Sequence, residues 1–159
     1  MDANHRIDIR RDLVALLPKI RRFALTLLRD PARVDAIVIQ ACEQAIQKSH
    51  MWKGDTRLEV RLFAAVRSLV RAEPVKRRPS ETLRVTAQRY AGQVGNGRAL
   101  LDLLSEECAS VFLLCAVEKL SYREAAAVMG GTPDAIAATM VAARCELAHL
   151  AVETTERRA

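Results

Sequence analysis

The sequence predicts an all-α protein made of two small helical modules joined by a linker. Three observations carry this. No stretch alternates Val, Ile, Thr and Tyr with polar residues, so strands are not expected. Apolar residues recur instead three and four apart along most of the chain. Finally, Leu120-Ser121-Tyr122-Arg123-Glu124-Ala125-Ala126 followed by Met129-Gly130-Gly131-Thr132-Pro133 reads as a helix, a tight turn and a second helix.

The first helix is expected from about Ile9 to Leu28. Leu13, Leu16, Leu17, Ile20, Phe23, Ala24 and Leu27 form one apolar stripe, and Arg10, Arg11, Lys19, Arg21 and Arg22 lie mostly off it. Asp30-Pro31 breaks the pattern. A second helix, about Ala32 to Lys48, turns Val34, Ile37, Val38, Ala41, Cys42, Ala45 and Ile46 inward. Met51-Trp52-Lys53-Gly54-Asp55 is a turn, with Trp52 plugging the edge of the core. A third helix, about Arg57 to Ala72, carries Leu58, Leu62, Ala65, Val66 and Leu69. Three such helices can close a bundle over residues 9–72.

Residues 73–98 change character. Pro74, Lys76-Arg77-Arg78 and Pro79 interrupt regularity, and Gly92, Gly95 and Gly97 mark a loop. Ser80 to Gln93 has helical potential, but its apolar face is thin. The stretch reads as a flexible interdomain tether. Its basic run is either a solvated charge cluster or a nucleic-acid contact.

The second module spans residues 99–153. Leu100, Leu101, Leu104, Cys108, Val111, Phe112 and Cys115 keep helical spacing. Ser121 and Glu124 have the spacing of a capping box, and Gly130-Gly131 ends that helix because glycine tolerates positive φ. Thr132 caps the last helix, about Pro133 to Val152, with Pro133 in its first turn. Ile136, Met140, Ala143, Leu147 and Leu150 form its inward face.

Composition narrows the function. Half of the 159 residues are hydrophobic and only 4% are aromatic, so Leu, Ala and Val carry the packing. No apolar run reaches the roughly 18 residues that span a bilayer, and no secretory signal opens the chain, so a cytoplasmic protein without membrane insertion is expected. Cys42, Cys108, Cys115 and Cys145 show no metal or redox spacing and read as buried thiols. His5, His50 and His149 are scattered without a carboxylate or cysteine partner, so neither a catalytic nor a metal site is expected, and no cofactor. The net charge of +6 is uneven: residues 1–99 carry +10 and residues 100–159 carry −4. Phosphate contact needs basic side chains, so the acidic helix-turn-helix half is poorly suited to DNA.

The order of elements resembles the extracytoplasmic-function (ECF) group of bacterial sigma-70-family factors. Leu16-Leu17-Pro18-Lys19-Ile20-Arg21-Arg22-Phe23-Ala24 is similar to that family's opening helix. Asp55-Thr56-Arg57-Leu58 with Leu62-Phe63 and Arg67 is similar to its Gly-Thr-Arg…Trp-Leu-Phe…Arg-Asn segment. Val111-Phe112-Leu113-Leu114 with Glu118-Lys119-Leu120-Ser121-Tyr122-Arg123-Glu124-Ala125-Ala126 is similar to its region 4 helix-turn-helix. The resemblance implies a region 2-like bundle that docks on core RNA polymerase and melts the −10 element. It also implies a region 4-like module that reads the −35 element, and an anti-sigma protein as partner.

Carried onto this chain, the resemblance assigns Asp35, Ile39 and Gln40 to polymerase. It assigns Arg61, Arg67 and Arg71 to the promoter strand, and Thr132, Thr139 and Arg144 to a weak −35 contact. The departures cluster on these surfaces. The family's Asp-Asp-Leu-Val-Gln-Glu becomes Asp35-Ala36-Ile37-Val38-Ile39-Gln40, and its terminal Arg-Asn becomes Arg67-Ser68. In the last helix, Asp134-Ala135-Ile136-Ala137-Ala138-Thr139-Met140-Val141-Ala142-Ala143-Arg144 keeps the inward pattern but one cation. Each bidentate Arg–guanine contact supplies about 1–3 kcal/mol of discrimination, so direct readout is largely lost. Two functions fit. One is a divergent sigma factor acting at stress-responsive promoters. The other is a sigma-like protein that binds an anti-sigma factor without reading DNA. An unrelated helical bundle is the remaining alternative.

Overall fold

Helix α1 covers Asp2–Leu28, and Asp30 launches the next one. The Asp30 carboxylate accepts from the Ala32 amide at 3.1 Å, and Pro31 takes the first helical position, where no amide is needed. Arg29 lies between them at φ 56°, a left-handed conformation that reverses the chain in one residue. The computed structural model describes residues 2–52, 55–73 and 100–156, with side chains from Ile9 to Glu153. The anticipated tether, with Lys76-Arg77-Arg78 and the segment Ser80–Gln93, lies outside the described residues.

Helix α2 (Pro31–Lys48) continues into a 3-10 turn (Ser49–Met51), and α3 (Leu58–Ala72) completes the first bundle. The second module contains α4 (Glu106–Phe112), a π-helical turn (Leu113–Val117), α5 (Tyr122–Met129) and α6 (Pro133–Glu156). No strand occurs among the described residues.

The helix-turn-helix forms as its sequence dictates. Ser121 Oγ accepts from the Glu124 amide at 3.2 Å, and Glu124 Oε2 accepts from the Ser121 amide at 2.8 Å. Two orphan donors are thereby satisfied reciprocally. Gly130 closes α5 at φ 75°, its amide reaching Ala126 O at 2.8 Å. Thr132 Oγ1 then accepts from the Ala135 amide at 3.2 Å to start α6.

Several core assignments change. Leu17, Ile46 and Leu100 are exposed rather than inward. Leu17 and Ile46 sit at the margins of their stripes, whereas Leu25, Val60 and Val70 are buried. The helix expected from Leu100 stops at Asp102–Leu104 and restarts at Ser105, whose side chain accepts from the Cys108 amide at 3.3 Å. Cys108 is buried, but Cys145 is exposed and not an interior thiol. Trp52 packs against the core edge as anticipated.

The two modules are not independent lobes. One continuous apolar core contains Ile20, Phe23, Val34, Leu62, Phe63 and Val66 of the first bundle. It also contains Val111, Leu114, Leu120, Ala125, Val128, Ile136 and Met140 of the second. Phe23 and Phe63 are wholly buried and meet edge to face, with centroids 5.2 Å apart. Helix α5 lies against α3, and α4 against α1. A smaller cluster of Leu104, Cys108, Ala109 and Ala143 joins α4 to α6.

Candidate functional site

The chemistry of the chain concentrates where the modules meet. The π-helical turn widens the helix by one residue, and Lys119 then takes φ 61°. Together they aim the intervening Glu118 side chain into the first bundle, where it is 2% exposed. Arg22 donates to Glu118 Oε1 from both Nε, at 3.0 Å, and Nη2, at 2.7 Å. Lys19 Nζ stands 3.9 Å from Glu118 Oε2 and 2.8 Å from Glu59 Oε1. Arg57 lies 3.5 Å from Glu59 and donates to Glu124 Oε1 at 2.8 Å. Three cations of the first bundle thus hold one of its own carboxylates and two of the second module's. Every buried side-chain polar atom described has a partner.

The hydrogen bonds from the Ser121 amide and Arg57 hold the Glu124 carboxyl below the usual carboxylate range. Arg29 Nη2 adds a further bond across the junction, to Asp102 O at 3.2 Å.

The three arginines assigned to the promoter strand sit in different surroundings. Arg61 stacks over Trp52, 5.0 Å from the ring centroid, and donates to Thr56 O at 3.2 Å. Arg67 and Arg71 instead line a cleft of about 240 Å³ at the module junction. Glu106, Glu107 and Ser110 of α4 form its other polar wall, with Leu27 and Met129 as its apolar lining. Burial lowers the Arg67 pKa, and adjacent Arg71 lowers it further, while Glu106 and Glu107 oppose both. The second module therefore faces the predicted DNA-contacting cations with carboxylates.

The residues assigned to polymerase share one face of α2. Asp35, Ile39 and Gln40 are all exposed, and Ile39 is 60% accessible. Asp35 Oδ1 accepts from Arg21 Nε at 2.8 Å in a solvent-exposed pair, which is worth little by itself.

Along α6, Thr132 is occupied as the N-cap, and Thr139 donates its hydroxyl to Ala135 O at 3.0 Å. Arg144 is exposed. The outer face beside it carries Ala135, Ala138, Val141, Ala142 and Cys145 together with Asp134, Glu146 and His149, all exposed, so Arg144 is its one arginine among the described residues. Residues 133–153 are long and apolar enough to cross a membrane by length and composition, although no uninterrupted apolar run reaches that length. In the fold Ile136, Met140 and Ala143 on this helix are buried against the second module.

Sequence reasoning missed Glu59 and Glu118 as interior charges, and Glu106 and Glu107 as the wall opposite Arg67. Nothing at short range marks them. Glu118 stands in a surface-like Glu-Lys pair, and only the turn before it sends it inward.

Known proteins agree with this architecture. Residues 13–67 match the family model described as the sigma2 domain of PhyR, and residues 98–147 match sigma-70 region 4. The ECF RNA polymerase sigma factor EcfG of Rhodopseudomonas palustris (strain TIE-1) is 27% identical over 153 residues, covering 90% of this chain and 84% of that protein. Among solved structures, the sigma factor RpoE in complex with the anti-sigma factor NepR from Bartonella quintana has the same fold. The TM-score is 0.70 at 21% identity, over 90% of this chain and 96% of that one. CnrH in complex with the cytosolic domain of CnrY gives a TM-score of 0.68 at 21% identity, over 91% and 88%.

The fold and its paired region 2 and region 4 modules define a two-module protein of sigma-factor architecture. Along both modules the chain is similar to the ECF group of the sigma-70 family.

Proposed function

We infer that this chain is a divergent ECF-type sigma factor that directs RNA polymerase to stress-responsive promoters from the cytoplasm. Residues 9–72 and 99–153 act as the two working modules and residues 73–98 as the tether. The observation that carries the reading is the α2 face. Asp35, Ile39 and Gln40 are presented to solvent together on the first bundle. An apolar Ile39 beside an acid suits a partner surface that is basic and partly apolar, as the polymerase clamp would be. Arg61, Arg67 and Arg71 serve the promoter strand. Thr132, Thr139 and Arg144 make at most a weak −35 contact.

The outer face of α6 favours a second reading. An exposed helix face of small and apolar residues, with two carboxylates and one arginine, suits protein contact better than phosphate contact. One solved structure of this fold is named as a sigma factor in complex with an anti-sigma factor. A sigma-like protein that occupies an anti-sigma factor, without itself reading promoters, would use such a surface.

Retention on core RNA polymerase, followed by run-off transcription, tests the two. Stoichiometric retention with promoter-specific transcripts supports the sigma factor. Retention of an anti-sigma protein with no polymerase bound supports the mimic.

A further inference from the structure

We propose that the outer face of the α1–α2 hairpin is a self-docking surface, on which a second copy of this chain closes a two-fold, four-helix contact. That contact covers the face assigned above to polymerase. This consequence, though not the contact itself, rests on the reading that Asp35 and Ile39 meet polymerase.

The face is built from two stripes of the same spacing. On α1 it runs Arg10, Val14, Leu17 and Arg21, and on α2 it runs Asp35, Ile39, Cys42 and Ile46. Each steps by four, three and four residues, so its members lie within about 60° on one side of their helix. Arg21 Nε donates to Asp35 Oδ1 at 2.8 Å, which fixes the register of one stripe against the other. The chain reverses at Arg29, and α1 and α2 pack along each other. Counting away from the Arg21–Asp35 pair sets Leu17 level with Ile39, Val14 with Cys42, and Arg10 with Ile46. Val14 is 67% exposed, Ile39 60%, and Leu17 and Ile46 37% each, while Cys42 is half-buried. Leu17 and Ile46 have the spacing of core residues, yet both stay outside the core. A continuous apolar strip over two helices marks a contact surface, where single scattered apolar residues would not.

Charge identifies the occupant. The charged members of the α1 stripe are both cations, Arg10 and Arg21, and that of the α2 stripe is a carboxylate, Asp35. A two-fold axis parallel to the hairpin lays α1 of each copy over α2 of the other, antiparallel and at the same level. Val14 and Leu17 then face Ile39, Cys42 and Ile46 of the second copy, and Arg21 comes to Asp35 of the second copy. The pair inside each chain becomes a ring of four alternating charges. The apolar strip supplies the affinity and the ring sets the register. The face is thus complementary to itself. The contact is small, so pairing is weak and rises with concentration. Asp35 and Ile39 lie inside it, and a paired chain cannot offer them to polymerase.

Sedimentation equilibrium of the full chain tests the contact. Wild type should pass from monomer to dimer as concentration rises, with no larger species, because a two-fold contact closes on itself. Val14→Glu puts a charge into the apolar strip and should raise the dissociation constant roughly tenfold or more. Val141→Glu, the same change on the exposed face of α6, should leave it unaltered. Arg21→Glu alone should weaken pairing. Arg21→Glu with Asp35→Arg restores the alternation, so that chain should pair with itself but not with labelled wild type. A wild type that stays monomeric up to its solubility limit overturns the proposal. So does a dimer that survives Val14→Glu unchanged, or a charge-swapped chain that mixes freely with wild type. Should Val14→Glu lose its helical circular dichroism, the swap decides, because it keeps the pair within each chain.

Core RNA polymerase tests the consequence separately. Added to the wild-type dimer it should dissociate the pair, and it should bind Val14→Glu at least as tightly as wild type. Polymerase that retains the intact dimer overturns the masking and removes Asp35 and Ile39 from the polymerase contact, while the self-docking measured by sedimentation stands.

Discussion

Arg22 reaches across 96 residues of sequence to Glu118 and places two guanidinium donors, at 3.0 and 2.7 Å, on a single carboxylate oxygen. The Glu118 side chain is 2% exposed, so this fork compensates most of its lost hydration. Removing Arg22 leaves Lys19, 3.9 Å away, as the nearest remaining cation. Arg22→Ala is expected to lower stability by about 1.5–3 kcal/mol, the scale of hydrogen bonds to a charged group. Arg22→Ala combined with Glu118→Gln should cost less than the sum of the single changes. Urea denaturation of the four species checks this as a double-mutant cycle; additive losses would show that the two groups do not couple.

The edge-to-face pair of Phe23 and Phe63 lies at the centre of the shared core. Phe63→Ala is expected to cost about 3–5 kcal/mol, because neither ring has solvent to retreat into. A shift in denaturation midpoint measures it. A loss below about 1 kcal/mol would mean the site collapses without a cavity.

Gly130 and Gly131 are adjacent but should respond differently to alanine. Gly130 sits at φ 75°, and a Cβ there meets only Arg67 Nη1 at 3.9 Å. Its penalty is conformational rather than steric, about 1–2 kcal/mol. Gly131 has open space around it and no left-handed φ, so Gly131→Ala should be close to neutral. Thermal melts of the two variants should therefore separate, with Gly130→Ala the lower.

Glu124 gives a pH dependence of known sign. Its folded pKa is depressed by the Ser121 amide and Arg57, so its charge adds stability above the unfolded carboxylate value of about 4.3. That contribution is lost as pH falls through the lower folded value. Gln keeps the capping hydrogen bond but not the charge. The stability gap between wild type and Glu124→Gln should be present at neutral pH and close in acid. A gap that widens on acidification would reverse the sign. Ser121→Ala, which removes the other half of the box, should cost about 1 kcal/mol.

Trp52 is the sole tryptophan and carries Arg61 over its ring. Arg61→Ala should shift its fluorescence and cost about 0.5–1 kcal/mol. An unaltered spectrum would mean the guanidinium does not rest on the indole in solution.

The helices, the turn between α5 and α6, and the class of fold were all legible in local patterns of residues. These depend on residues one to seven apart. Ser121 finds Glu124 three positions on, Asp30 finds the Ala32 amide two on, and apolar stripes repeat every turn. Such signals survive without knowing the rest of the chain. Helical period also puts Asp35, Ile39 and Gln40 on the exposed side of α2.

How the modules sit and what Arg67 faces follow from long-range packing instead. Whether a charged residue is buried depends on what packs over it, and Glu118 and its cations lie 96 and more residues apart. No local pattern distinguishes Glu118, inside, from Glu153, outside; the π-helical turn and the docking of the second module do. The stripe of Arg67 and Arg71 reads in sequence as a solvated basic edge. The fold sets α4 across a cleft from it, because burying the apolar faces of α3 and α5 against each other brings the α4 carboxylates along.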